Sequence, residues 1–566
     1  MHRRLAGTVP LGLALVIYLA LSWATVRAVG VVGEVAIGWG LGAPPDALVS
    51  LDPPLWADGA REPSAGHRAG PLVLSQVRPL ERLAIGPIDL PLAINRYTGG
   101  PPDWPALLVY RLTRSIGAVV ALHVALGGLL IALVHGFVRR HAGAAPAAAA
   151  ALVLATDWPF VFYRKVLGGT ELALLFATLA CLWGLWARRW TGGRHGLTLL
   201  GLGLGLGVLA KATFTLVFAA LLLAALLMRW DKGGMRPPLP RRPWLALALA
   251  AALVTPLVLA AAHDAVVADV TTAVPSHDRG GLQWRRVLLA LTGGPSPARE
   301  GLGNLQVWAM EPLRFFSVAY DAPAQPGGGG LRALGWALLA CGAAIPWWRR
   351  HPSPRDALAR FALVFGALQL GVLLVVARDL HHLAQTSVAL AVVAGLAADQ
   401  LAGLRAPLRS GRRVALALLL VLPLAGSGAR ELLRTDRVIE AIPVPTFTER
   451  GQRELVALLD AHGVERLVVA DYESYGMLEL RASGVQVEHA WPAVARDRRG
   501  ALPAVLRHAR GGHLLLVRAS APMVYNLGLS PSGLEEAAGE AGVRVEEVGR
   551  LADGSARLLA VGAGAR

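Results

Sequence analysis

Long apolar stretches, separated by short and mostly basic loops, dominate the first three quarters of the chain. A transmembrane helix needs roughly 20 apolar residues. Apolar runs near this length, several of them shorter, occur at about 8–30, 115–137, 143–161, 171–187, 197–210, 212–228, 244–262, 331–348, 361–377, 383–403 and 413–428. The pattern predicts a polytopic α-helical membrane protein with about 11 transmembrane helices.

The pattern changes near the C-terminus, where helix-like and strand-like segments alternate. "RELVALLDAHGV" and "LEEAAGEAGV" have helical periodicity, whereas "ERLVVADY", "GGHLLLVRAS", "RVEEVGRL" and "ARLLAVGA" are typical of strands. We therefore expect a transmembrane domain over 1–430, with large outer loops at about 31–114 and 263–330, and an α/β soluble domain over 431–566. This tail has no glycine-rich phosphate loop and no catalytic motif.

Composition excludes a soluble protein of this size. Of the 566 residues, 54% are hydrophobic and only 16% are charged, and the mean hydropathy is +0.50. The chain has 55 Lys and Arg against 38 Asp and Glu, an excess that in a membrane protein marks cytoplasmic loops rather than nucleic-acid binding. Cys181 and Cys341 each fall inside an apolar run, so neither a disulfide framework nor a cysteine metal site is predicted.

The short basic loops also predict the orientation of the chain. When the spans alternate, "VRRH", "ARRWTGGRHG", "RWDKGGMRPPLPRRP" and "RAPLRSGRR" all lie on the side of the N-terminus, which begins Met-His-Arg-Arg. Loops rich in Arg and Lys remain in the cytoplasm. We expect a multi-pass protein of the cytoplasmic (inner) membrane, with a cytoplasmic N-terminus and with the two large loops and the C-terminal domain on the periplasmic or extracellular side.

Ionisable residues interrupt the apolar pattern at the predicted outer ends of the spans. Arg164, Lys165 and Glu171 lie in "DWPFVFYRKVLGGTELALLF", and Lys211 interrupts "GLGLGLGVLAKATF". Interfacial anchoring, in which long basic side chains reach the headgroups, is one explanation. The other is an anionic ligand at the outer face, such as a lipid phosphate or pyrophosphate, because Arg and Lys pair with phosphate oxygens.

A further basic segment, "ARDLHHLAQTS", lies between the ninth and tenth predicted spans. It contains Arg378, His381 and His382. Adjacent histidines point to different faces of a helix, so a His-His metal site is not predicted. These three residues are candidates for binding a substrate, and the individual role of each is left open.

The order of these segments resembles the membrane glycosyltransferases of the GT-C superfamily, close to the bacterial protein O-mannosyltransferase and aminoarabinose transferase branch (family 39 type). The segments that carry the resemblance are "LPLAINRYTGGPPDWPALLVYRL", "ATDWPFVFYRKVLGGTELALLF", "LGLGLGVLAKATF" and "RDLHHLAQTSVALAVVAGL". The resemblance implies a GT-C-like helical bundle. It also implies transfer of a sugar from a polyprenyl-phosphate donor to a lipid, glycan or protein acceptor at the outer membrane face.

The resemblance also implies an acidic general base in the first outer loop, where the family often has an Asp-Glu pair. No such pair occurs between Val31 and Arg114. Glu34 lies nearest the end of the first span, and Asp52 lies in the Pro-Trp setting "VSLDPPLWADG". These two carboxylates are the candidate catalytic residues, with Glu34 preferred.

The remaining implied roles concern substrate binding. Arg164, Lys165 and Lys211 are expected to bind the lipid phosphate, and Tyr97 is expected to line the mouth of the site. Glu171 matches an acidic residue that the family often has at the start of the fourth span, and it would orient the acceptor or a metal. The cofactor is unknown, with a divalent cation possible, and no metal ligands are assigned.

Two other classes of function are compatible with the pattern. A transporter or flippase for a lipid-linked precursor would also need phosphate-binding charges, but transporters place ionisable groups near mid-membrane and contain internal repeats, and the sequence has neither feature. A non-catalytic membrane scaffold is the other alternative, which the missing Asp-Glu pair favours. Activity of variants that lack the acidic loop residues distinguishes these classes from an enzyme.

Overall fold

A computed structural model of the chain describes most of the helical part and much of the C-terminal segment. The described residues are 2–24, 81–85, 88–95, 98–99, 101–113, 116–166, 168–191, 194–211, 214–229, 250–251, 329–349, 353–376, 384–404, 410–440, 449–469, 484–489, 501–517, 531–552 and 554–563. The loop residues Glu34 and Asp52 lie outside this set, as does almost all of the predicted span 244–262.

The described part of the membrane half is predominantly helical. Its helices are α1 (His2–Ala24), α2 (Trp104–Thr113), α3 (Ile116–Ala142), α4 (Ala144–Thr156), α5 (Trp158–Val166), α6 (Gly168–Thr191), α7 (Arg194–Ala210), α8 (Phe214–Arg229), α9 (Gly329–Trp348), α10 (Pro354–Val376), α11 (Ser387–Ala402) and α12 (Ser410–Glu440). A 3₁₀ turn, Ala384–Thr386, directly precedes α11.

Several of these helices have the length and composition of transmembrane spans. Five described segments are long and apolar enough to cross a membrane, and they lie within Gly117–Ala142, Gly169–Trp186, Gly329–Trp348, Ala384–Ala402 and Ser410–Thr435. Shorter apolar helices cover Thr8–Trp23, Ala144–Thr156, His195–Ala210 and Phe214–Met228. A multi-pass helical membrane protein is therefore confirmed, while the count of 11 spans stays a prediction.

Helix α4 lies at the centre of the bundle. Twelve of its 13 residues are buried, and most of them are alanines. Its neighbours approach its backbone closely: a Cβ at Gly395 of α11 would lie 2.3 Å from the Pro146 carbonyl oxygen. Small residues allow helices to pack at short distance in a bilayer, where helix association depends on packing rather than on exclusion of water.

The predicted span 143–161 is interrupted, which corrects the expectation of one continuous helix. Helix α4 ends at Thr156, Asp157 has an extended backbone, and α5 begins at Trp158. The Asp157 carboxylate accepts a hydrogen bond from the Phe160 backbone amide at 3.2 Å. This bond satisfies one of the amides left open at the start of α5, and Pro159 has no amide to satisfy.

The last membrane helix is longer than its apolar run predicts. The run predicts an end at about residue 428, but α12 is 31 residues long and continues to Glu440. Its hydrophobic side is maintained beyond the run, since Leu432 and Val438 are buried. The predicted domain boundary at 430 therefore falls within a continuous helix, and the division into domains stays a prediction.

Part of the first large loop is folded, which the pattern of residues did not predict. Three strands, β1 (Glu81–Ile85), β2 (Ile88–Asn95) and β3 (Thr98–Gly99), form an antiparallel sheet. A 3₁₀ turn, Pro101–Asp103, follows and contacts α6 and α7. The loop thus packs onto the same pair of helices that carries Glu171 and precedes Lys211.

The C-terminal segment contains a five-stranded mixed sheet. Its elements are α13 (Glu449–Ala461), β4 (Arg466–Val469), β5 (Gln486–His489), α14 (Ala501–His508), β6 (Gly512–Val517), α15 (Pro531–Ala541), β7 (Val543–Arg550) and β8 (Ala556–Ala563). The strand order is β5-β4-β6-β8-β7, in which β4 is parallel to both neighbours and β8 is antiparallel to both of its own.

Both faces of this sheet are covered. Leu467 and Leu515 belong to one buried cluster with Leu455 and Leu459 of α13. The alternate residues, such as Val468 and Leu514, belong to a second cluster with α14 and α15. Successive strand residues point to opposite faces, so burial of both requires helices on both sides.

The two ends of α4 define two contrasting ends of the bundle. At its start, Gly143 lies against the Arg355 guanidinium, and a Cβ there would be 3.4 Å from it. We call this the arginine end, which includes Arg349, Arg355, Arg360, Asp356, Asp399, Gln400 and Arg413. At the other end of α4, roughly 20 Å away at 1.5 Å per residue, lies Asp157. We call this the Glu171 end, which includes Asp157, Glu171, Lys211, Arg332, Gln385, Ser387 and Glu431.

Candidate functional site

Helices α6 and α7 bring Glu171 and Lys211 to the same end of the bundle. They pack closely as antiparallel neighbours: Gly184 lies against Gly196 and Leu200, and Gly203 lies against Cys181 and Ala177. Glu171 is in the first turn of α6, and Lys211 directly follows α7. Antiparallel packing therefore places the two charges together, and they interact electrostatically.

Both members of this pair are buried. Glu171 is 3% exposed and Lys211 is 8% exposed. Isolated charges at membrane depth are costly unless they have a partner, water or a charged ligand. The opposite charges of Glu171 and Lys211 offset each other, which explains how both can lie in an apolar bundle.

The turn Ala384–Thr386 brings a third polar group, Gln385, to Glu171. Gln385 is buried and lies close enough to interact with the carboxylate. Its backbone carbonyl accepts a hydrogen bond of 3.0 Å from Nε2 of Gln369 in α10. The turn contacts α5, α6 and α10, so the site draws on helices distant in the sequence.

Several polar atoms beside this pair have no hydrogen bond within the part of the chain that the structure describes. They are Oε2 of Glu171, Nε2 and Oε1 of Gln385, and Oε1 of Gln369. More than nine-tenths of buried polar groups in proteins are satisfied, so a group of unsatisfied atoms in one place needs an explanation. A polar ligand or water at this position would supply the missing partners.

A second set of buried charges lies beside the first, and sequence reasoning missed most of it. Arg332 in α9 is 2% exposed, and it interacts electrostatically with Asp157 and with Glu431 of α12. Of these three residues, Asp157 interrupts an apolar run, Arg332 lies at the start of one, and Glu431 lies beyond the last one. Arg332 stands four residues into its helix, where a basic residue is usually interfacial, so no local signal points to burial.

Asp157 connects the two sets of charges. Its Oδ2 accepts a hydrogen bond of 2.6 Å from Oγ of Ser387, the first residue of α11. Ser387 directly follows the turn that contains Gln385. A cavity of about 20 Å³, room for about one water molecule, is lined by Asp157, Arg332 and Ser387 among others.

The indole of Trp158 ties α5 to the end of α12. Its Nε1 donates a hydrogen bond of 2.9 Å to Oγ1 of Thr435, and Thr435 in turn donates to the Glu431 backbone carbonyl at 2.9 Å. Trp158 also stacks on Phe162, with ring centroids 4.9 Å apart. The Asp-Trp-Pro segment is thus a junction between α4, α5 and α12.

The other predicted site residues are placed in part or lie beyond the described residues. Arg164 and Lys165 belong to helix α5, one helix before Glu171, rather than to a loop. Tyr97, Arg378, His381 and His382 lie outside the described residues, as do the candidate bases Glu34 and Asp52. The assignments of these residues stay predictions.

The described residues contain no group of three or more His, Cys, Asp or Glu side chains placed to bind a metal ion. The charged groups near Glu171 are a carboxylate paired with an ammonium and two carboxylates around a guanidinium. Such an arrangement suits the binding of an anion beside a carboxylate that orients or deprotonates a hydroxyl.

Comparison with known proteins supports a family relationship for this region. Residues 102–259 match the family model described as dolichyl-phosphate-mannose-protein mannosyltransferase. The matched segment begins at the turn before α2 and includes α2 to α8, with Arg164, Lys165, Glu171 and Lys211. No curated protein sequence matches the chain.

Two solved structures match the chain at low identity. The crystal structure of ArnT from Cupriavidus metallidurans bound to undecaprenyl phosphate is 13% identical, covers 96% of this chain and 97% of that chain, and has a TM-score of 0.47. The archaeal oligosaccharyltransferase AglB from Archaeoglobus fulgidus, in complex with an inhibitory peptide and a dolichol-phosphate, is also 13% identical. It covers 87% of this chain and 69% of that chain, with a TM-score of 0.44. The family match covers residues 102–259, less than a third of the chain, and this segment is similar to the protein mannosyltransferase family, in agreement with the resemblance to the GT-C membrane glycosyltransferases.

Proposed function

We propose that the chain transfers a sugar from a polyprenyl-phosphate donor to a lipid, glycan or protein acceptor at the outer face of the cytoplasmic membrane. One observation carries the proposal. Within the segment that matches the family, a carboxylate and an ammonium, Glu171 and Lys211, are both buried and interact electrostatically, and buried polar atoms of Glu171 and Gln385 have no hydrogen bond within the described residues.

The charges of this pair suit the two halves of the proposed reaction. The departing lipid phosphate gains negative charge as the bond from the anomeric carbon to the phosphate oxygen breaks, and a nearby cation stabilises that charge. Lys211 has this role in the proposal. The acceptor hydroxyl must lose a proton as it attacks, and a carboxylate that accepts or orients this proton accelerates the step.

The choice of base remains with the first outer loop in this proposal. Glu34 is the preferred base and Asp52 the second choice, and Glu171 orients the acceptor. Support for a loop residue comes from the position of the folded part of the loop, since the turn Pro101–Asp103 contacts α6 and α7. A loop that packs on these helices can bring a carboxylate over the Glu171–Lys211 pair.

The experiment is a transfer assay with purified, folded protein and a panel of polyprenyl-phosphate hexoses and pentoses. Release of polyprenyl phosphate and retention of the donor are measured in parallel for Glu34→Gln, Asp52→Asn and Glu171→Gln. The variant that lacks the base should lose about 10²–10⁴-fold in turnover and still bind the donor. Arg412→Ala, an exposed change at the arginine end, is the control and should be fully active.

The outcomes separate the competing functions. If only Asp52→Asn loses turnover while it still binds the donor, Asp52 and not Glu34 is the base, and the proposed mechanism is otherwise unchanged. Full activity of all three carboxylate variants would contradict the proposed transferase mechanism. Movement of intact lipid-linked donor across proteoliposomes without cleavage would support a flippase instead.

A further inference from the structure

The turn Ala384–Thr386 places Gln385 near Glu171, with which it interacts. Thr386 is the N-cap residue of α11, and its side chain makes no capping hydrogen bond. A missing cap usually weakens the first turn of a helix. The position of this turn therefore depends on contacts with other helices.

Among the described residues, two long-range hydrogen bonds connect this segment to other helices, one at Gln385 itself and one at Ser387. Before α11, Gln369 of α10 donates to the Gln385 backbone carbonyl at 3.0 Å. On the other side, Ser387 donates to Asp157 at 2.6 Å, across a separation of 230 residues in the chain. The second bond has an ionisable acceptor and is the shorter of the two, and such bonds are about twice as strong as neutral ones.

The Asp157 carboxylate also interacts with α5 and with α9. The Phe160 amide at the start of α5 donates to the same oxygen, Oδ2, that accepts from Ser387. Arg332 of α9 interacts with the carboxylate electrostatically and also interacts with Glu431 of α12. Groups from three helices, α5, α9 and α11, thus interact with the Asp157 side chain, which makes no described hydrogen bond to Glu171 or Lys211.

We propose that Asp157 is a positioning residue, which acts through Ser387 to fix the Ala384–Thr386 turn and thereby sets Gln385 against Glu171. This inference rests on the proposed function for its catalytic consequence. Asp157 itself does not touch the substrate. Arg332 keeps the Asp157 carboxylate in place and compensates its charge in the apolar bundle.

The arginine end provides a matched control for the same chemistry. Asp356 is 1% exposed and accepts hydrogen bonds of 2.8 Å from Ser353 Oγ, Ser353 N and Arg349. It is therefore also a buried aspartate with a serine partner and an arginine partner. Its loss should reduce stability as the loss of Asp157 does, but at the far end of α4.

The test compares Asp157→Asn and Ser387→Ala with Asp356→Asn and Ser353→Ala in the full-length purified protein. Amide hydrogen exchange of residues 384–388 and steady-state transfer kinetics are both measured. We expect exchange in this segment to rise about tenfold in Ser387→Ala, which removes the hydrogen bond, and to rise by less in Asp157→Asn, where a neutral amide oxygen replaces the carboxylate acceptor. We expect kcat to fall about tenfold with the donor KM unchanged within about twofold. Ser387→Thr keeps the hydroxyl, so it should have the amide exchange at 384–388 and the kcat of the wild-type protein.

The control pair should leave exchange at 384–388 and kcat unchanged, even where the unfolding temperature falls. Unchanged exchange in both Asp157→Asn and Ser387→Ala would overturn the proposal. Increased exchange with normal kcat would overturn its functional part, as would equal kcat losses in the control pair. The exchange measurement needs no turnover, so it decides the positioning role even if the wild-type protein transfers no sugar and the proposed function fails.

Discussion

Buried carboxylates lie at both ends of the helical bundle, but their surroundings differ. At the arginine end, Asp399 accepts hydrogen bonds of 2.6 and 2.8 Å from Arg413, and Asp356 is bonded to Ser353, Arg349 and Gln400. At the Glu171 end, Oε2 of Glu171 and both amide atoms of Gln385 have no hydrogen bond within the described structure. The carboxylate oxygens of Asp356 and Asp399 are thus all hydrogen-bonded, whereas the Glu171 end has a carboxylate oxygen and amide atoms without such a bond.

Under the proposed function, this difference in hydrogen bonding distinguishes buried charges that stabilise the fold from buried charges that bind a ligand. The Asp356 and Asp399 carboxylates have no unbonded oxygen to offer a ligand, and fully bonded buried carboxylates stabilise the fold. Unsatisfied polar atoms cost stability, so their concentration near the buried, opposite charges of Glu171 and Lys211 agrees with the proposal that a ligand binds there. Charge alone does not make this distinction, since both ends are rich in ionisable residues.

The strongest test of this comparison is the removal of Lys211. Lys211→Ala should reduce donor use by about 10²-fold or more, because the departing phosphate loses its cation. Lys211→Arg should be milder, since the charge is kept while the geometry changes. Release of polyprenyl phosphate at saturating and limiting donor concentrations is the measurement.

Loss of Lys211 also leaves Glu171 as an uncompensated buried charge, which can prevent folding. The double variant Lys211→Ala/Glu171→Gln removes both charges and should fold better than Lys211→Ala while it stays inactive. Recovery of activity in the double variant, or normal activity in Lys211→Ala, would reduce the pair to a structural element.

Sequence reasoning predicted the local features of this end and not its assembly. Glu171 and Lys211 stand out because each interrupts an apolar run, and the alternation of spans predicts that both lie at one face. Arg332, Glu431 and Gln385 carry no such signal. Their meaning depends on which helices pack together, and the relevant partners, Asp157 and Glu171, are far away in the chain.

Helix boundaries show the same division between local and long-range information. The apolar run predicted an end of the last span near residue 428, but the helix continues because buried residues such as Leu432 repeat at helical spacing among polar ones. The sheet Glu81–Gly99 was missed because β1 and β3 are short and β2 contains Pro91. Hydropathy predicts which segments cross the membrane, whereas the ends of the helices depend on their packing against other helices.

The next largest effect should come from the close packing that assembles the Glu171 end. Gly428 of α12 lies against the end of α4, and a Cβ there would be 2.1 Å from the Thr156 carbonyl oxygen. Gly428→Ala should therefore separate α12 from α4, with a cost of about 1–3 kcal/mol or more. The unfolding temperature in detergent measures the effect.

Gly426 is a matched control in the same helix, because a Cβ at this position meets no atom within 4 Å. Gly426→Ala should be neutral or slightly stabilising, since alanine favours the helix. Because Thr156 directly precedes Asp157, Gly428→Ala should also increase amide exchange at 384–388. Equal stability of the two variants would argue against the close contact of α12 with α4.

A smaller effect is expected at the arginine end. Arg413→Ala leaves the buried Asp399 carboxylate without its paired hydrogen bonds and should cost about 1–2 kcal/mol, less than for a fully buried pair because the Arg413 side chain is 33% exposed. Transfer activity per folded molecule should not change. Arg412→Ala removes an exposed neighbouring arginine and should have no effect on stability. A large loss of kcat in Arg413→Ala would contradict the assignment of this end to structure alone.

The C-terminal sheet contains a histidine, His513, whose protonation should make the stability of the sheet depend on pH. This effect must be distinguished from the pH dependence of transfer at the Glu171 end. His513 in β6 is partly buried, and burial lowers its pKa below the ordinary value of about 6.5. The positive charge of the nearby His462 lowers this pKa further, while a hydrogen bond to the Arg466 backbone opposes the shift. The folded tail therefore favours neutral His513.

The sign of the pH effect follows from this shift, and the effect on stability should be smaller than that of Arg413→Ala. Between pH 6.5 and the lower folded pKa, the unfolded chain binds the proton that the folded chain does not, so the stability of the tail falls as the pH falls through this window. His513→Gln should remove this dependence, and His462→Gln should weaken it, because the repulsion between the two imidazolium groups is lost.

Thermal unfolding of the sheet at pH 7.5 and 5.0 measures the change in stability. The pH profile of transfer, corrected for the folded fraction, should be the same in both variants as in the wild-type protein. If the pH profile of transfer changes in His513→Gln after this correction, titration in the C-terminal sheet affects the Glu171 end. The contrast between the two ends of the bundle would then no longer be enough to separate structural charges from functional ones.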